Sequence, residues 1–196
     1  MQFVLATHNA NKVREFSRIL EPLHIKVGTA DLPEVAETGT TFEENAYLKA
    51  ASACQATGKP AIADDSGLCV HALNGQPGVH SARYAGENAT DADRIAKLLT
   101  ALREVPAKGR LAKFVCVICC VFPNGDILTS RGECEGAIAA SPCGQDGFGY
   151  DPVFLVGDKT FAQMSSSEKD AVSHRGRALR VFQSDLQLYQ RKQASL

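Results

Sequence analysis

Apolar residues recur along this chain in two rhythms, one close to 3.6 residues and one close to two, and they alternate from the start. Residues 2–6 read as a short strand. Over 10–20, Val13, Phe16, Ile19 and Leu20 fall on one stripe with Arg14, Glu15, Ser17 and Arg18 opposite, which predicts an amphipathic helix. A second strand is expected over 24–29, followed by an acidic loop over 31–39. Thr41-Phe42-Glu43-Glu44 has the form of a capping box and opens a helix that stops at Gly58. The run 60–63 predicts a strand that ends in Asp64-Asp65-Ser66-Gly67, with 68–73 extended beyond it. A helix is expected over 90–103. Strands are expected over 114–122 and 127–138, joined at Asn124-Gly125 as a hairpin. A glycine-rich loop covers 144–152, a strand 153–156 and a final helix 174–189, whose core stripe is Ala178, Leu179, Phe182, Leu186 and Tyr189. Helices alternate with strands early and a hairpin comes late, so the expected fold class is α/β with a mixed sheet, carried by residues 1–196 as a single domain.

Composition narrows the function classes. The chain has 196 residues, 21 Lys plus Arg against 22 Asp plus Glu, and a net charge of −1. That balance, without an extended basic stripe carrying interleaved aromatics, argues against nucleic acid as a partner. No stretch approaches the roughly 18 apolar residues of a membrane span, and the N-terminus lacks a basic n-region, so no membrane partner is expected. Seven cysteines without a secretion signal are expected to be reduced thiols in a cytoplasmic protein. Cys116 and Cys119 lie in a run that reads as a buried strand, where side chains alternate faces, which disfavours a zinc site.

Four features carry candidate chemistry. Thr7-x-Asn9-x-x-Lys12 stands where a strand hands over to a helix, and puts a cation in the first helical turn, where the dipole disfavours it. Either Asn9 is an N-cap and Lys12 a surface residue, or the pair receives an anion. Ser173-His174-Arg175 repeats the inversion at the last helix, with Lys169 upstream; phosphate or base binding accounts for it better than a structural histidine. By contrast, the helix after Thr90 carries Asp91 and Asp93 in its first turn, as a helix start with nothing bound should. Asp64-Asp65, adjacent at a strand end, suits Mg²⁺ or the activation of water, and equally an Asx-turn. Glu34 and Glu37 are candidate further ligands. Lys49 falls within about 20° of Phe42 on a helical wheel, on the small apolar side, and either snorkels outward or faces the acidic cluster. In Gly147-Phe148-Gly149-Tyr150-Asp151-Pro152, glycines flank an aromatic whose face could stack on a base. It fits neither a dinucleotide fingerprint nor a P-loop.

Taken together these strings resemble the inosine triphosphate pyrophosphatase family, also called dITP/XTP or non-standard purine NTP pyrophosphatases. The matching pieces are Thr7-His8-Asn9-Ala10-Asn11-Lys12, Glu37-Thr38-Gly39-x-x-Phe42-x-Glu44-Asn45-Ala46, Ala63-Asp64-Asp65-Ser66-Gly67-Leu68, Ser81-Ala82-Arg83-Tyr84, Gly147 to Pro152, and Ser173-His174-Arg175-Gly176. The resemblance implies an elongated mixed β-sheet flanked by helices, with two lobes and an active-site cleft between them, and a homodimer. It implies hydrolysis of ITP, dITP or XTP to the nucleoside monophosphate and pyrophosphate. By motif, Thr7, His8, Asn9, Ala10, Asn11 and Lys12 bind the triphosphate, Asp65 holds Mg²⁺ and accepts a proton, and Ser66 contacts substrate. Phe148, Gly149, Tyr150 and Asp151 hold the base and sugar region, with Lys169, His174 and Arg175 at the base end. Motif register favours Glu37 as the second Mg²⁺ ligand, with Glu34 open. The string 81–84 receives no role. Rival readings are a pyrimidine (dTTP/UTP) pyrophosphatase of similar architecture and a nucleotide-binding regulator without turnover.

Overall fold

The computed structural model describes residues 2–195. Among the described residues, seven strands form one sheet in the order β2-β1-β3-β4-β5-β6-β7. They are β1 (Gln2–Leu5), β2 (Lys26–Gly28), β3 (Ala61–Val70), β4 (Leu111–Val121), β5 (Ile127–Ile138), β6 (Phe154–Val156) and β7 (Lys159–Thr160). β1 pairs in parallel with β2 and β3, whereas β5–β6 and β6–β7 are antiparallel, so the sheet is mixed. The helices are α1 (Ala10–Leu20), α2 (Phe42–Thr57), α3 (Asp91–Ala101), α4 (Ser166–Val172) and α5 (His174–Gln193). Among the described residues, no helix is long and apolar enough to cross a membrane.

The chain packs as two compact units. The first takes the chain up to Asp65, Cys116–Gly132, and the chain from Arg175 onward; the second takes Ser66–Val115 and Glu133–His174. Each has its own core. In the first, Phe3 meets Phe122 and Phe182 edge-on, and α1 and α5 add Phe16, Leu20, Leu179 and Leu186. In the second, Phe114, Phe154 and Phe161 form an aromatic cluster with Leu68, Leu98 and Leu102 around it.

Most expected elements are present, and the differences have local causes. α2 opens with the Thr41–Glu44 capping box and closes on Gly58 in the left-handed conformation, as its sequence signals require. Strand β2 is shorter than expected because Glu21–Leu23 forms a 3-10 turn that ends on a left-handed His24. The extended stretch after Gly67 stops at Val70, where His71–Leu73 turns. The last helix does not begin a free segment: α4 precedes it, with Ser173 as the C-cap of α4. The most consequential difference lies in β3, which does not end at Asp64 but runs through the whole Asp-Asp-Ser-Gly string.

Candidate active site

Because β3 is extended across residues 64 and 65, alternation turns the two carboxylates to opposite sides of the strand, and their nearest side-chain partners differ. Asp64 is 1% exposed and takes two cations: Lys12 Nζ stands 3.0 Å from Oδ1 and Arg175 Nη2 2.9 Å from Oδ2. The Cys116 thiol lies 3.9 Å from the same Oδ2. Arg175 in turn reaches Glu15 through Nη1, 2.5 Å from Oε2. Glu15, Arg175, Asp64 and Lys12 thus form a continuous line of alternating charge, three of its four members buried. The carboxylates hold the Arg175 pKa above its ordinary value, although burial works against the charge.

This line accounts for both inverted helix starts. Lys12 at the head of α1 and Arg175 at the head of α5 converge on one carboxylate, so the charge that offsets the helix dipoles comes from the protein itself. Glu15, read as part of the polar face of α1, is instead buried against Arg175. Asn9 caps α1, its side-chain oxygen accepting the N–H groups of Asn11 (2.9 Å) and Lys12 (3.2 Å), while its own N–H donates to Thr7 Oγ1 at 3.2 Å. Two first-turn amides are therefore engaged by the cap. His8, Asn9 and Ala10 are exposed around it.

On the other face, Asp65 receives Asn45 Nδ2 at 3.2 Å on Oδ2 and Lys49 Nζ at 3.4 Å from Oδ1. The same ammonium is 2.6 Å from Glu37 Oε1, so one cation bridges two carboxylates. Glu34 is exposed, and Glu37 is the member of the acidic loop that stands at Asp65. Burial pushes the Asp65 carboxyl above its usual range, and Glu37 adds to the effect; Lys49, Lys12 and the Asn45 amide oppose it without cancelling it. Burial disfavours the charge on Lys49, but Asp65, Asp64 and Glu37 outweigh that and raise its pKa.

Helix α2 positions this group. Phe42, Asn45, Ala46, Lys49, Ala50 and Ala53 follow helical spacing, and two polar residues in that otherwise small and apolar stripe face Asp65. Asn45 is fully buried; its oxygen accepts the Gly39 N–H at 2.8 Å while its nitrogen serves Asp65. Gly39 is required there, since a Cβ would stand 2.6 Å from Glu44 Cβ and 2.7 Å from Asn45 Oδ1. Glu44 accepts the N–H groups of Thr40 (2.6 Å) and Thr41 (3.1 Å), which fastens the end of the loop bearing Glu37 to α2. Asn45 was not among the sequence-predicted site residues. The signal that could have found it is a polar residue on the apolar stripe, one turn before Lys49. Ser66, half-buried, follows on β3 at the start of the second unit.

The second unit carries the aromatic loop. Asp151 is buried and closes the loop on itself: Oδ2 accepts the Phe148 N–H at 2.8 Å and the Lys169 ammonium at 2.6 Å. Gly147 has φ +80°, and a Cβ there would collide with Asp151 Oδ2, so only glycine permits the closure. Lys169 Nζ also lies 4.9 Å from the centroid of the Phe148 ring. His174 is buried, stacked on Phe114 with centroids 4.5 Å apart. Tyr150 is buried and donates its hydroxyl to Ser81 O at 2.9 Å; burial raises its pKa. Ser81 Oγ accepts the Leu68 N–H at 2.9 Å, which gives the string 81–84 a structural part between β3 and the aromatic loop. Arg175, assigned by motif to the base end with Lys169 and His174, lies in the first unit and pairs with Asp64 and Glu15.

Residues 3–185 match the Ham1 family, and the chain belongs to that family. All six strings quoted from the sequence lie within the match. A dITP/XTP pyrophosphatase of Desulfotalea psychrophila is 50% identical over 188 residues, covering 93% of this chain and 83% of the relative. One of Idiomarina loihiensis is 52% identical over 194 residues, covering 93% and 96%. The solved HAM1 protein of Coxiella burnetii superposes with a TM-score of 0.87 at 46% identity, covering 95% of this chain and 98% of that one. The Staphylococcus aureus Ham1 protein does so with a TM-score of 0.84 at 44% identity and the same coverage. The mixed α/β fold expected from the sequence is therefore that of known Ham1 structures.

Proposed function

We propose that this chain hydrolyses ITP, dITP and XTP to the nucleoside monophosphate and pyrophosphate, clearing deaminated purines from the nucleotide pool. The observation that carries the reading is the grouping of Asp65, Glu37, Lys49 and Asn45, with Lys12 paired to the adjacent Asp64 and its charge felt at Asp65. The relatives bearing the name dITP/XTP pyrophosphatase, half identical over most of both chains, support the substrate class.

Mg²⁺ fits this group. The Lys49 ammonium already places one cation against both the Asp65 and Glu37 carboxylates. Mg²⁺ takes one or two carboxylates and completes its shell with waters and phosphate oxygens, which a two-carboxylate set matches. Asp65 and Glu37 would hold it, and it would supply charge neutralisation for the triphosphate and a lowered pKa for water. The chain's own residues do the rest. Asp65 orients the attacking water and accepts its proton as the oxygen bonds to the α-phosphorus. The bond from that phosphorus to the oxygen leading to the β-phosphorus breaks, and pyrophosphate leaves with the electron pair. Lys12 and Lys49 offset the charge that accumulates on the phosphates. By the motif resemblance, Phe148 to Asp151, Lys169 and His174 are assigned contacts to base and sugar. A donor facing the purine 6-keto group is left unpaired against a 6-amino group, which is the basis for rejecting ATP. A homodimer and a cytoplasmic location accompany this reading.

The testing experiment is a nucleotide panel with Mg²⁺ in which both products are identified. ITP, dITP and XTP should yield monophosphate and pyrophosphate, with ATP and dTTP poor substrates. Turnover of dTTP with ITP untouched overturns the substrate class, and release of inorganic phosphate overturns the reaction class.

Two further outcomes follow. Lys12→Ala should raise KM for ITP about tenfold or more, as expected for losing a charged contact to phosphate, with Asp64 still satisfied by Arg175. Inhibition by inorganic tripolyphosphate should weaken in parallel; an unchanged KM with full kcat removes Lys12 from binding. The pH dependence has a definite sign. A raised Asp65 pKa leaves the base protonated where an ordinary aspartate is ionised, so kcat/KM should climb with pH along an acid limb displaced upward. Raising the Mg²⁺ concentration should move that limb to lower pH, because metal and proton compete for the carboxylate. The folded chain holds this proton more tightly than the unfolded one, so the contribution to stability favours folding at low pH and is lost as pH rises through the folded-state pKa. A limb that ignores Mg²⁺ contradicts the assignment.

A further inference from the structure

We infer that Asp91, at the first turn of α3, is a positioning residue that fixes the aromatic loop for base recognition, an inference that rests on the reading of Phe148 to Asp151 as the base-holding loop. The first turn of α3 has the acidic residues of an ordinary solvent-facing start, and Asp93 plays that part: it closes a capping box with Thr90, whose N–H reaches it at 2.9 Å. Asp91 does something else. Its Oδ2 accepts the backbone N–H of Gly149 at 2.7 Å, across 58 residues of sequence. This is the residue directly after Phe148, at a glycine with φ +62°.

The clasp is itself anchored. Arg94, one turn along α3, pairs with Asp91 Oδ1, and its Nη1 donates to Ala82 O and Ala89 O, each at 2.8 Å. Ala82 adjoins Ser81, whose carbonyl takes the Tyr150 hydroxyl and whose Oγ takes the Leu68 N–H. A closed circuit therefore runs from Gly149 to Asp91, Arg94, the 81–82 turn, Tyr150 and back to Gly149. It grips the loop on one side of Phe148, and Asp151 with Lys169 grips it on the other. Within the 147–151 loop, Asp151 satisfies the Phe148 N–H internally, but the Gly149 N–H has its acceptor on α3. Without Asp91 the left-handed turn at Gly149 loses that tether, and the Phe148 ring samples orientations that do not stack on a base. Discrimination among bases depends on the ring and its neighbours being held at fixed positions, so it should suffer before the chemistry does.

Asp91 has a side chain 44% exposed, so its replacement should leave the fold intact. In Asp91→Ala, KM for ITP should rise roughly five- to tenfold with kcat within about twofold, in line with losing one charge-assisted hydrogen bond. The ratio of kcat/KM for ITP over ATP should fall several-fold. Inhibition by inorganic tripolyphosphate, which has no base, should match the parent enzyme. Asp91→Asn keeps an acceptor oxygen for the Gly149 N–H and should restore most of the KM and selectivity. An unchanged KM and selectivity in Asp91→Ala overturns the inference. So does equal weakening toward ITP and tripolyphosphate, which marks general damage, and so does an Asn variant as impaired as Ala. Failure of the parent enzyme to turn over any purine triphosphate is a separate result, and refutes the proposed function instead.

Discussion

Replacing Asp65 by asparagine should lower kcat about a thousandfold while leaving the circular-dichroism spectrum and Tm close to those of the parent. The size follows from the base role proposed for the carboxylate. General-base help is worth on the order of a hundred- to ten-thousandfold, and the amide can neither accept the proton nor bind Mg²⁺ as a carboxylate does. The small effect on the fold follows from the geometry. An asparagine can still offer an oxygen to Asn45 Nδ2, and Lys49 keeps Glu37 at 2.6 Å. Asp65 is already a carboxylate whose charge is disfavoured by burial, so removing that charge relieves a cost while it weakens one ion pair. Steady-state pyrophosphate release, with a thermal melt on the same preparation, checks both halves. Turnover within tenfold of the parent removes Asp65 from the role of base.

Arg175→Met should be the most destabilising single change at the site. Removing the guanidinium takes a buried cation from Glu15, 7% exposed, and leaves Asp64, 1% exposed, with Lys12 in place of two cations. Breaking a buried ion pair by deleting one partner costs about 3–5 kcal/mol. For a chain of this length that corresponds to roughly 6–20 °C in Tm. The origin of the loss can be separated from the loss itself. Adding Glu15→Gln to Arg175→Met removes the buried charge that lost its guanidinium and should recover part of the stability, whereas Glu15→Gln alone should be destabilising because it unbalances the line from the other end. Urea denaturation of the three variants forms a mutant cycle, and strict additivity would mean that Glu15 and Arg175 are not coupled.

These two residues also mark where the sequence was legible and where it was not. Features with a local cause were readable: the Thr41–Glu44 box and Gly58 bound α2, the stripe of α5 is its core face, and Asn9 is an N-cap. Features set by long-range partners were read only in part. The unusual cations at the starts of α1 and α5 could be seen, but not that both end on Asp64, 111 residues before Arg175 in the second case. Glu15 sits beside Phe16 at the edge of the apolar stripe, and its partner lies 160 residues away, so helical periodicity assigned it to water. Asp-Asp-Ser-Gly is turn material by local propensity. It stays extended because β3 is flanked by β1 and β4, and because cations wait for a carboxylate on each face. The short elements α4 and β7, of seven and two residues, are below the length at which periodicity can be recognised. Even so, Ser165 and Glu168 form a capping box that announces α4.

The separation of the two aspartates gives the central claim its form: the face of β3 that bears Asp65 directs water at the α-phosphorus. Hydrolysis of ITP in oxygen-18-labelled water, with both products analysed by mass spectrometry, tests this most directly. One labelled oxygen should appear in the nucleoside monophosphate and none in pyrophosphate. Label found in pyrophosphate, with an unlabelled monophosphate, would place the attack on the β-phosphorus and contradict the account.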